Sequence, residues 1–430
     1  MPPKIAYIVM KYPTLTQTFI EREMLGLAAQ DLEIEVHPCF DFRRPGAGEP
    51  ETPAALPVVR AGSAGRFFLA VCVGAVRELR RRPGLVRRAW RVLQRYPPQN
   101  WESWFMTVCG TLFALARAAE FRRRGIAVIH GAWATAPATA AAVLSELCGI
   151  PYSFGAHAYD LHRYGGDPLL SPKLRTARFV HTTTRANAEL LATRFPSRRA
   201  EIVLARRGLG KLPALRAAKG SAFDSDGANQ KTRLQILSVG RLVEKKCHAC
   251  QIEACIELAR RGLPFHLRII GEGPLRPELA ASIARAKLQH RVELAGERSP
   301  AEVAAAYAAA DVFWHTGVVD SRGDRDGLPN VIPEALAHGL AVISSAVGGA
   351  GEAIQDGENG LIVDPYDPAA LADAVISLAA DPAWRQQLGQ EGRRWVERNF
   401  LAEENTRQLA QAFRAAAAVG SSEAAGRATR

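Results

Sequence analysis

The chain has no uninterrupted apolar run of about 18 residues, the length that marks a membrane-spanning helix. Its first ten residues lack the charged start and long apolar core of a secretory signal. The expected location is therefore the cytoplasm. Cysteine is scarce: seven residues in 430, an odd number that makes no disulfide framework. The one cluster is Cys247-His248-Ala249-Cys250, with Cys255 nearby. A redox pair or a zinc half-site is conceivable, but no second pair stands at a spacing that zinc would use, and these residues read as helix-lining thiols. No G-x-G-x-x-G or P-loop fingerprint appears. Two Asp-x-Asp triplets, at 224–226 and 324–326, are of a kind common by chance. Neither is read as a metal site, and neither a metal nor another cofactor is expected.

What is present is a globular composition, 48% hydrophobic and 23% charged, long enough for two or three domains with sizeable cores. The net charge is +12, and it is concentrated. Between positions 77 and 95 stand eight arginines and one acid, Glu78. The apolar run 67–73 precedes them, and Leu85, Trp90 and Leu93 lie among them. From Phe67 to Arg95 this combination suits an anionic membrane surface, at the inner face of the membrane. It would also suit nucleic acid, or be a solvated helix face; no nucleic-acid partner is expected.

The second half alternates short apolar runs with helical stretches. The expected strands are 234–239, 265–270, 291–294, 311–315, 341–345 and 361–363, with helices such as 251–261, 300–309 and 368–379 between them. Such alternation makes a parallel sheet covered on both faces, with ligands bound beyond the C-terminal strand ends. The first half repeats the pattern less cleanly, with strands expected at 5–10, 33–37, 127–130, 152–154, 178–181 and 201–204. The domain reading is α/β throughout. An N-terminal Rossmann-like domain spans 1–210, with a helical insertion at about 61–124. A small, polar linker spans 211–231, and a second Rossmann-like domain 232–395. A terminal helix at 396–418 packs back on the first domain, followed by a disordered tail at 419–430.

Residues 324–339, DRDGLPNVIPEALAHG, carry the most chemistry. Pro333 lacks an N–H and is tolerated only in a helix's first turn, so the helix starts near Asn330 and stops at Gly339. Asp326 then lies on the preceding loop and Glu334 about one turn inside the helix. Two carboxylates would flank backbone N–H groups, an arrangement for a diphosphate with hydroxyl-bearing rings at either end. The competing reading is an ordinary helix with an acidic flank.

This spacing resembles the E-x7-E motif of retaining glycosyltransferases of GT-B fold, glycosyltransferase family 4. The resemblance implies that Glu334 holds the ribose and Asp326, here in place of Glu, the transferred sugar. Aspartate reaches about 1.5 Å less far, one C–C bond. Ser238-Val239-Gly240-Arg241-Leu242-Val243-Glu244-Lys245-Lys246 resembles the family's GRL-x-x-x-K loop, which implies that Arg241 and Lys246 grip the donor diphosphate. A cation about 4 Å from a charged oxygen contributes about 4 kcal/mol at an effective dielectric constant of roughly 20. Cys247 follows where the family usually has glycine. Gly271-Glu272-Gly273-Pro274 resembles the family's turn beside the nucleotide, and His157, in Gly155-Ala156-His157, matches a histidine that faces the donor sugar. By the same resemblance Gly240, Gly271, Gly273, Gly327, Leu328, Pro329, Asn330 and Val331 line the donor, and Thr16 and Thr18 lie on an acceptor-side loop.

The resemblance thus implies two Rossmann-like doubly wound domains facing a cleft, with the C-terminal helix crossing back. The implied activity is transfer of a sugar from a nucleotide diphosphate-sugar to a hydroxyl of a glycan or lipid-linked glycan, in cell-surface polysaccharide synthesis. The alternatives are a nucleotide-sugar epimerase or hydrolase on the same fold, and a non-catalytic membrane- or nucleic-acid-binding protein with a decayed site.

Overall fold

The computed structural model describes residues 2–13, 18–39, 56–60, 62–97, 100–215 and 233–428. The chain forms two compact units. Unit 1 comprises Met1–Gly210 and Ala402–Arg430, and unit 2 comprises Lys211–Leu401.

In unit 1 the strands are β1 (Lys4–Val9), β2 (Glu33–Pro38), β3 (Val128–Gly131), β4 (Tyr152–Gly155), β5 (Val180–Thr182) and β6 (Ile202–Leu204). They pair in the order β2-β1-β3-β4-β5-β6, parallel throughout. The two faces of β1 explain why. Ala6 and Ile8 join a core with Phe67, Phe113, Ala138 and Leu144. Ile5, Tyr7 and Val9 join another with Met24, Leu27, Leu409 and Phe413. A strand buried on both sides reads as a continuous apolar run, as here. Between β2 and β3 come three helices, Ala64–Arg81, Leu85–Arg95 and Trp101–Phe121. The expected terminal helix is two helices, Pro382–Asn399 in unit 2 and Ala402–Ala428 in unit 1. Phe413 of the latter meets His130 and Phe179 edge-on, at centroid distances of 5.2 and 5.1 Å. This helix runs on to Ala428, through the stretch expected to be a disordered tail, and its Gly420 packs so close to Pro151 that a Cβ would come 2.8 Å from the ring.

In unit 2 the strands are β7 (Leu234–Val239), β8 (Phe265–Ile270), β9 (Val292–Gly296), β10 (Val312–His315), β11 (Ala341–Ser344) and β12 (Leu361–Ile362). Their order, β12-β11-β10-β7-β8-β9, is also wholly parallel. Counted from β7 this is the doubly wound order 3-2-1-4-5-6, and its direction reverses between β7 and β10. Loops leaving adjacent strands at such a reversal diverge around a crevice where ligands bind. The GRL loop follows β7 and the Asp326 loop follows β10. Most of the expected linker, from 216 to 232, lies outside the described residues.

Candidate active site

The loops after β7 and β10 are fastened to each other. The Val318 N–H donates to the Lys245 carbonyl at 2.9 Å. The Thr316 hydroxyl donates to the carbonyls of Lys246 and Cys247, at 3.1 and 3.0 Å. The Glu244 carboxylate accepts the N–H and the hydroxyl of Ser321, at 2.7 and 2.8 Å. With both loops held, their charged side chains converge. Lys246 Nζ lies 2.6 Å from Asp326 Oδ2, and Lys245 Nζ lies 3.1 Å from Asp324 Oδ2 and 3.4 Å from Asp326 Oδ1. His315 Nε2 is 3.8 Å from Asp326 Oδ2. Burial works to raise the Asp326 carboxyl, but Lys246, His315 and Lys245 together outweigh it and hold it well below the usual carboxylate range. Asp326 is therefore an anion at neutral pH. His315 is pushed down by burial, against the pull of Asp326, and stays neutral. Arg241 is exposed at the end of β7, beside this cluster in sequence.

Glycines set how closely the backbone approaches. Gly271 has φ +144°, and a Cβ there would come 2.0 Å from the Gly240 carbonyl oxygen. A Cβ on Gly273 would come 2.4 Å from the Leu242 carbonyl oxygen. The Gly-Glu-Gly-Pro turn after β8 is thus packed against the GRL loop, which it also holds through Leu242 N–H to Glu272 O at 2.9 Å. Gly348, φ +69°, supports Asp326 in the same way, with its would-be Cβ 2.0 Å from the Asp326 carbonyl oxygen. The Gly327 carbonyl accepts from Gly349 N at 2.7 Å. Leu328 and Pro329 carry the chain into the helix Val331–Ala337, which Asn330 precedes and Gly339 (φ +72°) follows, where Pro333 requires it. Glu334 sits in this helix, and the Tyr307 hydroxyl donates to its carboxylate and to the Val331 carbonyl, each at 3.4 Å.

Cys247 adopts φ 42°, ψ 48°. That left-handed conformation is one glycine takes without steric cost, which accounts for the family's usual residue at this place. The expectation of free thiols fails here, since Cys247 and Cys250 form a disulfide. Their positions at the start of helix His248–Arg260 bring the Cα atoms to 5.4 Å, within disulfide reach. Cys255 is a free, buried thiol.

In unit 1, His157 follows β4 and is buried, its ring packed on Gly155. Burial, then Arg207, His181 and His130, drive it well below its ordinary pKa, so it is neutral. Its backbone is fixed by Asp160. One carboxylate oxygen accepts from His157 N and Ala158 N at 2.9 Å each, and the other from Ala134 N at 3.0 Å. Asp160 thus ties the loop after β3 to the loop after β4. Thr16 lies outside the described residues, and Thr18 opens the helix Thr18–Ala28. Among the described residues no three His, Cys, Asp or Glu side chains form a metal-binding group.

Sequence reasoning missed Lys245, Asp324, His315 and Gly348 as parts of the cluster. Lys245 stood next to Lys246, and Asp324 lay inside the Asp-x-Asp triplet. His315 is the last residue of β10, where strand-end chemistry is to be sought. Gly348 carried no signal beyond the Gly-Gly pair.

The family model described as glycosyl transferases group 1 matches residues 222–395. The chain is 34% identical over 185 residues to WcaL of Escherichia coli (strain K12), a protein assigned as a colanic acid biosynthesis glycosyltransferase; this covers 43% of the chain and 46% of WcaL. It is 35% identical over 178 residues to the amylovoran biosynthesis glycosyltransferase AmsK of Erwinia amylovora, covering 41% and 44%. The matched stretch spans less than half the length of these relatives. Among solved structures, sucrose-phosphate synthase of Thermosynechococcus elongatus superposes with TM-score 0.71 at 21% identity, over 97% of this chain and 100% of that one. Anabaena HepE gives 0.64 at 15%, over 96% and 100%. Residues 222–395 thus match the model of the glycosyl transferases group 1, and the fold of the chain is GT-B.

Proposed function

We propose that the chain transfers a sugar, with retention of anomeric configuration, from a nucleotide diphosphate-sugar to a hydroxyl of a glycan or lipid-linked glycan in polysaccharide synthesis. The observation that carries this is the convergence of Lys245, Lys246 and Asp326 at the strand reversal of unit 2, with Arg241 exposed on the same loop. Cations there meet a diphosphate, and carboxylates meet ring hydroxyls. WcaL and AmsK are named for polysaccharide synthesis, and HepE has been solved with UDP and glucose, which support the substrate class.

In this reading the C1–oxygen bond of the donor breaks and its electron pair passes to the departing phosphate. Arg241 and Lys246 stabilise that growing charge. The acceptor hydroxyl attacks C1 on the same face and gives its proton to the departing phosphate oxygen. Asp326 holds sugar hydroxyls and Glu334 the ribose. The assignment of His157 to the transferred sugar rests on the family resemblance alone; a neutral, positioned imidazole suits hydrogen bonding to it. Charge is met by side chains, so the reaction requires no metal.

The test is transfer of labelled sugar from a panel of uridine and guanosine diphosphate-sugars to glycan acceptors, with the product's anomeric configuration read by NMR. Transfer with retention, surviving a chelator, is expected. An inverted product, or release of free sugar alone, contradicts the proposal. Loss of activity with EDTA and rescue by manganese contradicts the metal-free part.

A further inference from the structure

The helix Ala64–Arg81 is apolar on two opposite faces, and the fold uses one. Phe67, Val71, Gly74 and Glu78 face inward. Gly74 lies so close to the helix Trp101–Phe121 that a Cβ would come 2.0 Å from the Leu115 carbonyl oxygen. On the opposite side Phe68, Leu69, Val73, Val76 and Leu79 are exposed, Phe68 by 59% and Leu69 by 66%. Phe67, expected from the sequence to be part of the outward surface, is therefore core. Its neighbours one and two places on are the outer face, because a helix turns about 100° per residue.

Further exposed aromatic side chains lie on the helix Trp101–Phe121, against which Ala64–Arg81 packs. Gly74 meets Leu115 and Glu78 pairs with Arg122 at 2.6 Å, so the two helices run in the same direction. In that register Ala64 lies level with about residue 105, and the first turn of Trp101–Phe121 projects beyond. There Trp101, Trp104 and Phe105 are exposed, with the two indoles stacked at 5.4 Å.

Charge identifies the occupant. The only acid of the helix Ala64–Arg81, Glu78, points inward and is paired with Arg122. Arg80 and Arg81 edge the apolar stripe, and Arg87, Arg91 and Arg95 follow on the exposed helix Leu85–Arg95, which also presents Trp90. A second copy of this face would set arginine against arginine. Nucleic acid would engage the arginines but would leave Phe68, Leu69, Val73 and Val76 in water. An anionic bilayer meets both: arginines at the headgroups, aliphatic and aromatic side chains at the acyl boundary. No described helix is long and apolar enough to cross a membrane, so the contact is superficial. We infer that this face of unit 1 seats the chain on an anionic lipid surface, with Phe68, Leu69 and Val76 inserted and Arg80 and Arg81 at the phosphates. The inference does not depend on the chemistry of unit 2.

The experiment is vesicle flotation of the full chain with phosphatidylcholine alone and with phosphatidylcholine mixed with phosphatidylglycerol. Binding to the mixed vesicles only is expected, falling as salt shortens the screening length from about 10 Å at 0.1 M to about 3 Å at 1 M. An arginine near such a surface contributes about fivefold to partitioning, so Arg80→Glu with Arg81→Glu should weaken binding by at least about 25-fold. Phe68→Ser with Leu69→Ser should weaken it on the order of tenfold or more. All four side chains are exposed, and an unchanged melting midpoint checks the fold. Unmodified protein gives an independent reading: brominated lipid should quench tryptophan emission, and less so in Trp90→Phe, Trp101→Phe, Trp104→Phe. Binding that survives the serine variant would show a polyanion contact only and overturn the inference. So would equal binding to neutral vesicles, no binding to either, or binding without quenching.

Discussion

The two units share a wholly parallel six-stranded sheet but place different chemistry at their strand ends. Unit 2 gathers ions: Lys245, Lys246, Asp324 and Asp326 pair with one another. Unit 1 gathers neutral rings beside two ion pairs, Lys173–Asp167 at 2.9 Å and Arg207–Glu23 at 3.4 Å. His130, His157 and His181 are all buried and all lowered in pKa, chiefly by burial. The Asp160 carboxylate there is occupied with backbone N–H groups. Topology supplies a position for a ligand, and the loops decide its charge.

Activity should depend most on the charged loops of unit 2. Arg241→Ala should lower turnover by about 10²–10³, the usual loss for one preorganised donor to a developing oxyanion. Steady-state and single-turnover rates on the best donor check it, and near-normal turnover would remove Arg241 from the phosphate. Next in size is Gly271→Ala. Its φ of +144° and its would-be contact of 2.0 Å with Gly240 leave no room for a methyl group. We expect a loss of roughly 1–3 kcal/mol in urea unfolding, together with weaker donor binding. Gly262→Ala, with a positive φ but open space around it, should cost less.

The neutral side is read by pH. A histidine whose pKa is lowered on folding binds fewer protons folded than unfolded, so stability rises with pH across that window. It is therefore present above the ordinary histidine range and lost as pH falls below it. For His248, pushed by burial from 6.5 to about 4, the loss runs across that interval. Each such histidine gives a slope of about 1.4 kcal/mol per pH unit. Urea unfolding between pH 7.5 and 5 should show falling stability, and His130→Gln should flatten the slope by about one proton. Asp326 acts lower: its carboxyl is depressed, so its contribution persists until pH drops below the ordinary carboxylate value. A stability that is flat from pH 7.5 to 5 would contradict the buried neutral histidines. The smallest effect is on choice rather than rate. Asp326→Glu, which restores the family's usual residue, should alter relative use of donor sugars while overall turnover stays within about tenfold. Identical donor profiles for wild type, Asp326→Glu and Asp326→Ala would reduce the motif to a helix start.

All twelve expected strands are present, their limits shifted by a residue or two, because runs buried on both faces are unambiguous in sequence. The helix after Asp326 was equally legible, since Pro333 and Gly339 leave few other starts and stops. What was not legible depends on contacts between distant loops. Nothing local marks Asp324 as the partner of Lys245, 79 positions away, or Gly348 as the support of Asp326. The inward turn of Phe67 beside an outward Phe68 requires knowing which of two apolar faces meets another helix. The disulfide depends on the helix beginning at His248, immediately after Cys247.

In the proposed function unit 2's charged loops bind a nucleotide diphosphate-sugar. Isothermal titration of the full chain with uridine and guanosine diphosphate-sugars tests it most directly, because binding needs no acceptor, no lipid and no turnover. At least one donor should bind in the micromolar range, and Arg241→Ala should bind it more weakly. If no donor binds at millimolar concentration to folded protein, the assignment of the cluster around Asp326 is wrong.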